Sequence, residues 1–203
     1  MATYPIPQAP WGEFVPFVGY MTVEQFEMFP GQEGWYYELQ QGRLIIVPGP
    51  GNKHGKIQTK LSYILTQYLD NHQLGSIVGT SCYNLPMPGD TETVLCPDLS
   101  YVLPEREAIV QMRGSYPNIA PDLVIEISSP SDTHPGVAQK VADYLAAEVR
   151  LIWVLWPTSQ TIEVWRPTNK NQPISILKNT DILDGLDVIP GFQCRIQDIF
   201  AIS

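Results

Sequence analysis

The chain has 203 residues, a formal net charge of −9 and 44% hydrophobic residues, with ten Tyr and five Trp. That is enough apolar material for a full core in one domain of ordinary size, while the acidic balance excludes a constitutive nucleic-acid coat, which draws on clustered Lys and Arg and on counterion release. No run approaches the roughly 20 apolar residues of a membrane helix, and the N-terminus has no basic-then-apolar signal layout, so a soluble, cytoplasmic protein is expected.

Residues 1–20 carry Pro5, Pro7, Pro10 and Pro16 among aromatics and read as an extended arm; residues 21–203 read as a single domain. Thr22 before Glu24-Gln25-Phe26-Glu27 is a helix N-cap with an acidic first turn, and Pro30-Gly31 closes that short helix. Trp35–Leu39 and Arg43–Val47 flank Gln40-Gln41-Gly42 as strand, tight turn and strand. Ile57, Leu61, Ile64, Leu65, Tyr68 and Leu69 then recur at helical spacing up to about Asn71. Three strand-like runs follow, Ser76–Leu85, Val94–Leu103 and Asp122–Ser128, expected to form a sheet beside that helix. Pro130-Ser131-Asp132 opens a helix through Ala147, Leu151–Trp156 and Thr161–Arg166 form a hairpin, and a last turn lies at Ile196–Phe200. The order implies an α/β or α+β domain with a central mixed sheet flanked by helices.

Cys82, Cys96 and Cys194 are odd in number, far apart and set in apolar surroundings, so they read as buried free thiols, not as a disulfide framework or a zinc site.

Two Pro-Asp pairs stand out, Pro97-Asp98 and Pro121-Asp122-Leu123-Val124-Ile125-Glu126. Acidic side chains in apolar strands cost several kcal/mol to bury unless paired or bound to a cation. Strand alternation puts Asp122, Val124, Glu126 and Ser128 on one face and Leu123, Ile125 and Ile127 on the other. With the Asp98 strand alongside, Asp98 and Glu126 would converge, and two such carboxylates suit Mg2+ or Mn2+. Lys140 is the only Lys of the helix that follows, with Gln139 beside it and Tyr144 on the same stripe; its ammonium could steady a phosphorane charge or position water.

The set Tyr37-Glu38-Leu39, Gly42, Leu44, His54, Pro97-Asp98, Pro121-Asp122-Leu123, Glu126, Ser128, Pro130, Lys140, Tyr144 and Trp153 resembles the Uma family of restriction endonucleases within the PD-(D/E)xK superfamily, from about Met21 to Phe200. The resemblance implies a restriction-endonuclease-like core in which Glu38, Asp98 and Glu126 bind Mg2+ or Mn2+ and Lys140 is the catalytic lysine. The superfamily lysine lies two residues after the acid, where Ser128 stands here; the lysine of this family looks moved onto the following helix. Two further departures are Gly136, where relatives often carry an acid, and Gln41-Gly42-Arg43, where the turn often reads Asp-Gly-Glu.

Other readings stay open beside these. Asp122 can simply begin a strand after Pro121, and Glu38 can pair with Arg43 across its hairpin. Lys53, His54 and Lys56, with Lys60, form a basic cluster that could contact DNA or be a solvated face; His54 could equally be satisfied by backbone. Arg106 and Arg113 flank a loop that could touch a DNA backbone, while Trp153, Trp156, Trp165 and Tyr144 read as core. The expected activity is metal-dependent hydrolysis of DNA by a homodimer. The alternatives are an inactive nuclease-fold interaction or dimerisation module and a phosphoesterase for small nucleotides.

Overall fold

The computed structural model describes residues 19–30, 35–129, 132 and 134–202. The expected arm therefore lies, apart from Gly19 and Tyr20, outside the described residues, as do Gly31, Pro130 and Ser131.

Thr22 caps the first helix, α1 (Val23–Glu27), through a reciprocal pair: its hydroxyl accepts from the Gln25 N–H, and the Gln25 side chain accepts from the Thr22 N–H. The strands β1 (Trp35–Gln40) and β2 (Arg43–Pro48) pair antiparallel with Gln40 opposite Arg43. Gln41 and Gly42 make the turn, both at positive φ (51° and 75°), the backbone that fits a two-residue hairpin and favours Gly. A Cβ on Gly42 would also collide with the Tyr20 ring. The long helix α2 (Asn52–His72) buries Ile57, Leu61, Leu65 and Leu69, one stripe at four-residue spacing, and stops at Gln73 in a left-handed conformation.

Two of the expected strand runs break. Ser76–Leu85 becomes β3 (Ile77–Gly79) and β4 (Tyr83–Asn84), and Val94–Leu103 becomes β5 (Val94–Leu95) and β6 (Leu99–Tyr101). The β4 and β5 strands join the hairpin in a four-stranded sheet, order β2-β1-β5-β4, while β3 and β6 belong to the central sheet. The single sheet expected from these runs is therefore corrected to two. Pro97 supplies no N–H to a ladder, and Thr80 turns at φ 35° opposite the next residue, Asp98, so both strands leave one sheet for the other at nearly the same level.

The intervening segment holds α3 (Pro104–Glu107) and a small ribbon, β7 (Met112–Arg113) with β8 (Tyr116–Pro117). Then come β9 (Leu123–Ile127), α4 (His134–Ala146), the hairpin β10 (Leu151–Trp156) and β11 (Thr161–Trp165), β12 (Ser175–Leu177), the pair β13 (Ile182–Asp184) and β14 (Gln193–Arg195), and α5 (Ile196–Phe200). The central sheet runs β12-β11-β10-β9-β6-β3, with β9 and β10 parallel and its other pairs antiparallel. Parallel neighbours require a crossover, and α4 is that crossover. One face of the sheet packs Leu123, Ile125, Leu151 and Trp153 against α2 and the C-terminal elements; the other packs Val124, Ile152 and Val154 against Val141, Tyr144 and Leu145 of α4. This is the mixed sheet flanked by helices that the element order implied. Trp153 is buried in it, whereas Trp156 and Trp165 are only partly covered.

Cys82 and Cys96 are joined in a disulfide, contrary to the expectation of free thiols. The antiparallel register Tyr83↔Leu95 and Asn84↔Val94 makes Cys82 and Cys96 the next cross-strand pair, 4.0 Å apart at Cα. Cys194 is a buried free thiol.

Asp122 has no exposure and anchors the far end of β9. Its Oδ1 meets Arg106 at 2.7 Å and Arg150 at 3.2 Å, and its Oδ2 accepts from the Leu103 N–H. Asp122→Ala should lower stability by about 3 kcal/mol, since it strands the part-buried Leu103 N–H and takes one carboxylate from two guanidinium groups. Urea denaturation checks this, and Asp122→Asn, which still offers an acceptor to Leu103, should lose less.

Candidate active site

Strand register brings the acids together. Because Leu99 lies opposite Ile125, the next position outward sets Asp98 opposite Glu126. Asp98 is held through Oδ2, which accepts from the Ile127 N–H at 2.7 Å and meets His54 Nε2 at 3.0 Å. Glu126 shares the parity of Val124 and so projects toward α4. There Lys140 Nζ lies 2.9 Å from its Oε1 and 3.0 Å from its Oε2, and the Tyr144 hydroxyl donates to Oε1 at 2.7 Å. Lys140 and Tyr144 are one helical turn apart, so a single face of α4 supplies both.

Glu38 arrives from the other sheet. Tyr36, Glu38 and Gln40 alternate onto one face of β1, with Val47 opposite Tyr36 and Ile45 opposite Glu38. Glu38 Oε1 lies 3.0 Å from Lys140 Nζ and accepts from the Cys96 N–H at 3.0 Å. In place of the alternative pairing with Arg43, Glu38 is engaged by Lys140 and the Cys96 N–H. Glu38, Glu126 and Lys140 thus make direct contacts, with Asp98 beside them, at the base of a cavity of about 620 Å³.

The electrostatics follow from crowding. Burial raises the Glu126 pKa to about 7; the Lys140 charge opposes this, but Asp98 and Glu38 reinforce it. Burial also disfavours the Lys140 charge, but Glu126 and Glu38 outweigh it, so the ammonium stays protonated with a raised pKa. For His54 burial pulls the pKa down, and the hydrogen bond and charge of Asp98, with Asp132 and Glu126, push it above its usual value. Burial and the acids Glu126 and Glu38 hold the Tyr144 phenol far above its usual range, so it remains a donor.

These carboxylates are hard oxygen donors of the kind that hold Mg2+ or Mn2+. Asp98 and Glu126 are the two that could share a cation, since both recorded bonds of Asp98 fall on one oxygen. Among the described residues no group of three His, Cys, Asp or Glu side chains is gathered closely enough to form a complete cage.

The remaining expected residues lie elsewhere or are engaged. Lys53 Nζ donates to the Pro157 carbonyl, and His54 is buried against Asp98, not presented at the surface. Lys56 lies in the same first turn of α2. Arg106 is bound by Asp122 and the Ala120 carbonyl, and Arg113 by Glu24 and Glu92. Sequence reading missed the His54–Asp98 bond, the Cys96 N–H on Glu38, and the buried Asp143, whose Oδ1 accepts from Gln41 at 2.6 Å and Gln139 at 3.1 Å. Only Asp143 left a signal, an acid three residues after Lys140 and so close to its helical face.

The profile of the family Uma2, described as "Putative restriction endonuclease", matches residues 23–197, and the chain belongs to that family. Among solved structures it is similar to a "putative nuclease belonging to DUF820" from Anabaena variabilis ATCC 29413, at 23% identity and a TM-score of 0.73. That match covers 89% of this chain and 97% of the other, and at this identity it speaks to the fold. No curated protein matches. Among the described residues no helix is long and apolar enough to cross a membrane.

A pH dependence follows from Glu126. Its folded pKa, about 7, exceeds the usual 4.5, so the folded state holds the proton more tightly. That contribution is fully present below about pH 4.5 and is lost as the pH rises through about 7. Measured with chelator present, the stability of wild type relative to Glu126→Gln should therefore fall across this window. Tyr144→Phe, which removes a donor to the carboxylate, should extend the decline to higher pH.

Proposed function

We propose that the protein is a metal-dependent DNA endonuclease. The observation that carries this reading is a lysine within 3.0 Å of two carboxylates from different elements, lining one cavity, in a chain of a nuclease family. Asp98 and Glu126 would hold Mg2+ or Mn2+, with Glu38 supporting it directly or through water; the ion supplies a water of lowered pKa and neutralises phosphate charge.

The chain's own groups divide the remaining work. Lys140, set between Glu38 and Glu126, would donate to the phosphate oxygens and to the attacking water. Both recorded bonds of Glu38 fall on Oε1, which leaves Oε2 to accept from that water. Tyr144 and the Ile127 N–H fix the rotamers of Glu126 and Asp98. The acidic overall charge is tolerable because several of the acids belong to the site. For the expected homodimer, Ile174 and Ile176, exposed at the β12 edge, offer an apolar strip. The Cys82–Cys96 bond bears on the expected cytoplasmic location, since such bonds persist chiefly in oxidising compartments.

Purified protein with plasmid DNA and Mg2+ or Mn2+ should nick or linearise it, and Asp98→Ala and Lys140→Ala should each lose about a hundredfold or more. Cutting that both variants retain would sink the mechanism. A folded wild type that cuts with neither ion would leave the interaction module in its place.

A further inference from the structure

The acids and lysine are recessed. Their side chains keep only 6% (Glu38), 13% (Glu126), 19% (Asp98) and 21% (Lys140) exposure, and the cavity above them is walled mainly by apolar groups of Ile45, Val47, Pro50, Val137 and Val154. A volume of about 620 Å³ is far more than a water and a cation need; it falls within the ~300–1,000 Å³ range of pockets that enclose small organic ligands. The Tyr36 ring, 49% exposed, stands on the same β1 face as Glu38, one alternation away. Apolar walls and an available aromatic face are what an unstacked base seeks.

The charge distribution points the same way. Duplex DNA carries one charge per roughly 1.7 Å of axis and is gripped through many phosphate contacts. Among the described residues, Arg106, Arg113, Lys140, Arg150, Arg166 and Lys170 are bound by carboxylates of the protein itself. A base-paired backbone lying on the surface would also hold its phosphorus away from groups buried to this depth.

Resting on the phosphodiester-cleaving reading above, we propose that the cavity takes one unpaired nucleotide, base inward beside Tyr36, so that the substrate is single-stranded or locally opened DNA and not intact duplex. Gln40, on the same β1 face, lines the cavity as well.

Fluorescence anisotropy of a short dye-labelled DNA strand, alone and annealed to its complement, tests this with Ca2+ present to allow binding without turnover. The single strand should bind about tenfold more tightly than the duplex; Tyr36→Ala should lose about tenfold on the single strand alone, and Tyr36→Phe should match wild type. Val47→Trp, which fills the cavity without touching the acids, should weaken single-strand binding as well. Equal or tighter duplex binding overturns the proposal, as does unchanged single-strand binding in Tyr36→Ala or Val47→Trp. Because the readout is binding, a protein that prefers the single strand but cuts no DNA would retain this assignment and refute the nuclease reading instead.

Discussion

A single ammonium group ties the structure together. Lys140 lies between Glu38 of the hairpin sheet and Glu126 of the central sheet, and it comes from the helix that crosses between β9 and β10. None of these three charges would be tolerated at that depth alone, because an unpaired buried ion costs several kcal/mol. Each is kept by the others, so the packing of α4 against the central sheet and the approach of the hairpin are conditions of the same contact. The Tyr144 hydroxyl, the Cys96 N–H and the Ile127 N–H each add a hydrogen bond to the surrounding carboxylates.

What local pattern controls could be read from the chain. The stripe of α2, the hairpin around Gln41-Gly42, the β10–β11 hairpin and the final turn at Ile196–Phe200 all appear where periodicity and turn chemistry put them. The inward direction of Glu126 followed from parity alone, and the meeting with Asp98 needed only that their strands be neighbours. What depends on long-range register was hidden. That Pro97 is the point where the chain changes sheets, that Cys82 faces Cys96, and that Arg106 and Arg113 are taken by Asp122, Glu24 and Glu92 all require knowing which strand lies beside which. His54 was legible as a helix-entry residue and not as the partner of Asp98, 44 positions away.

The acidic composition, which first argued against a nucleic-acid protein, has a structural resolution. Much of the basic charge is consumed internally: Asp122 draws Arg106 and Arg150, and Asp187 draws Arg150 and Arg166. These pairs organise the end of the central sheet where Asp122 sits, while Glu38, Asp98 and Glu126 gather around Lys140. Net charge is thus a poor guide to what the cavity accepts, since the field inside a recess is set by the few groups that line it.

The bond from Gln41 to Asp143 gives α4 a second hold on the hairpin, three residues along from Lys140. Lys140 grips the strand and Asp143 grips the turn at its tip, so the helix works like a key with two teeth. Successive residues of a helix are rotated by about 100°, and both teeth fit only when their phase and rise match the hairpin together. Single-residue insertion or deletion between them would throw one tooth out of the lock whichever residue was added or lost. This stretch of α4 is therefore constrained in length as tightly as in chemistry, whereas the exposed first turn of the same helix carries neither tooth.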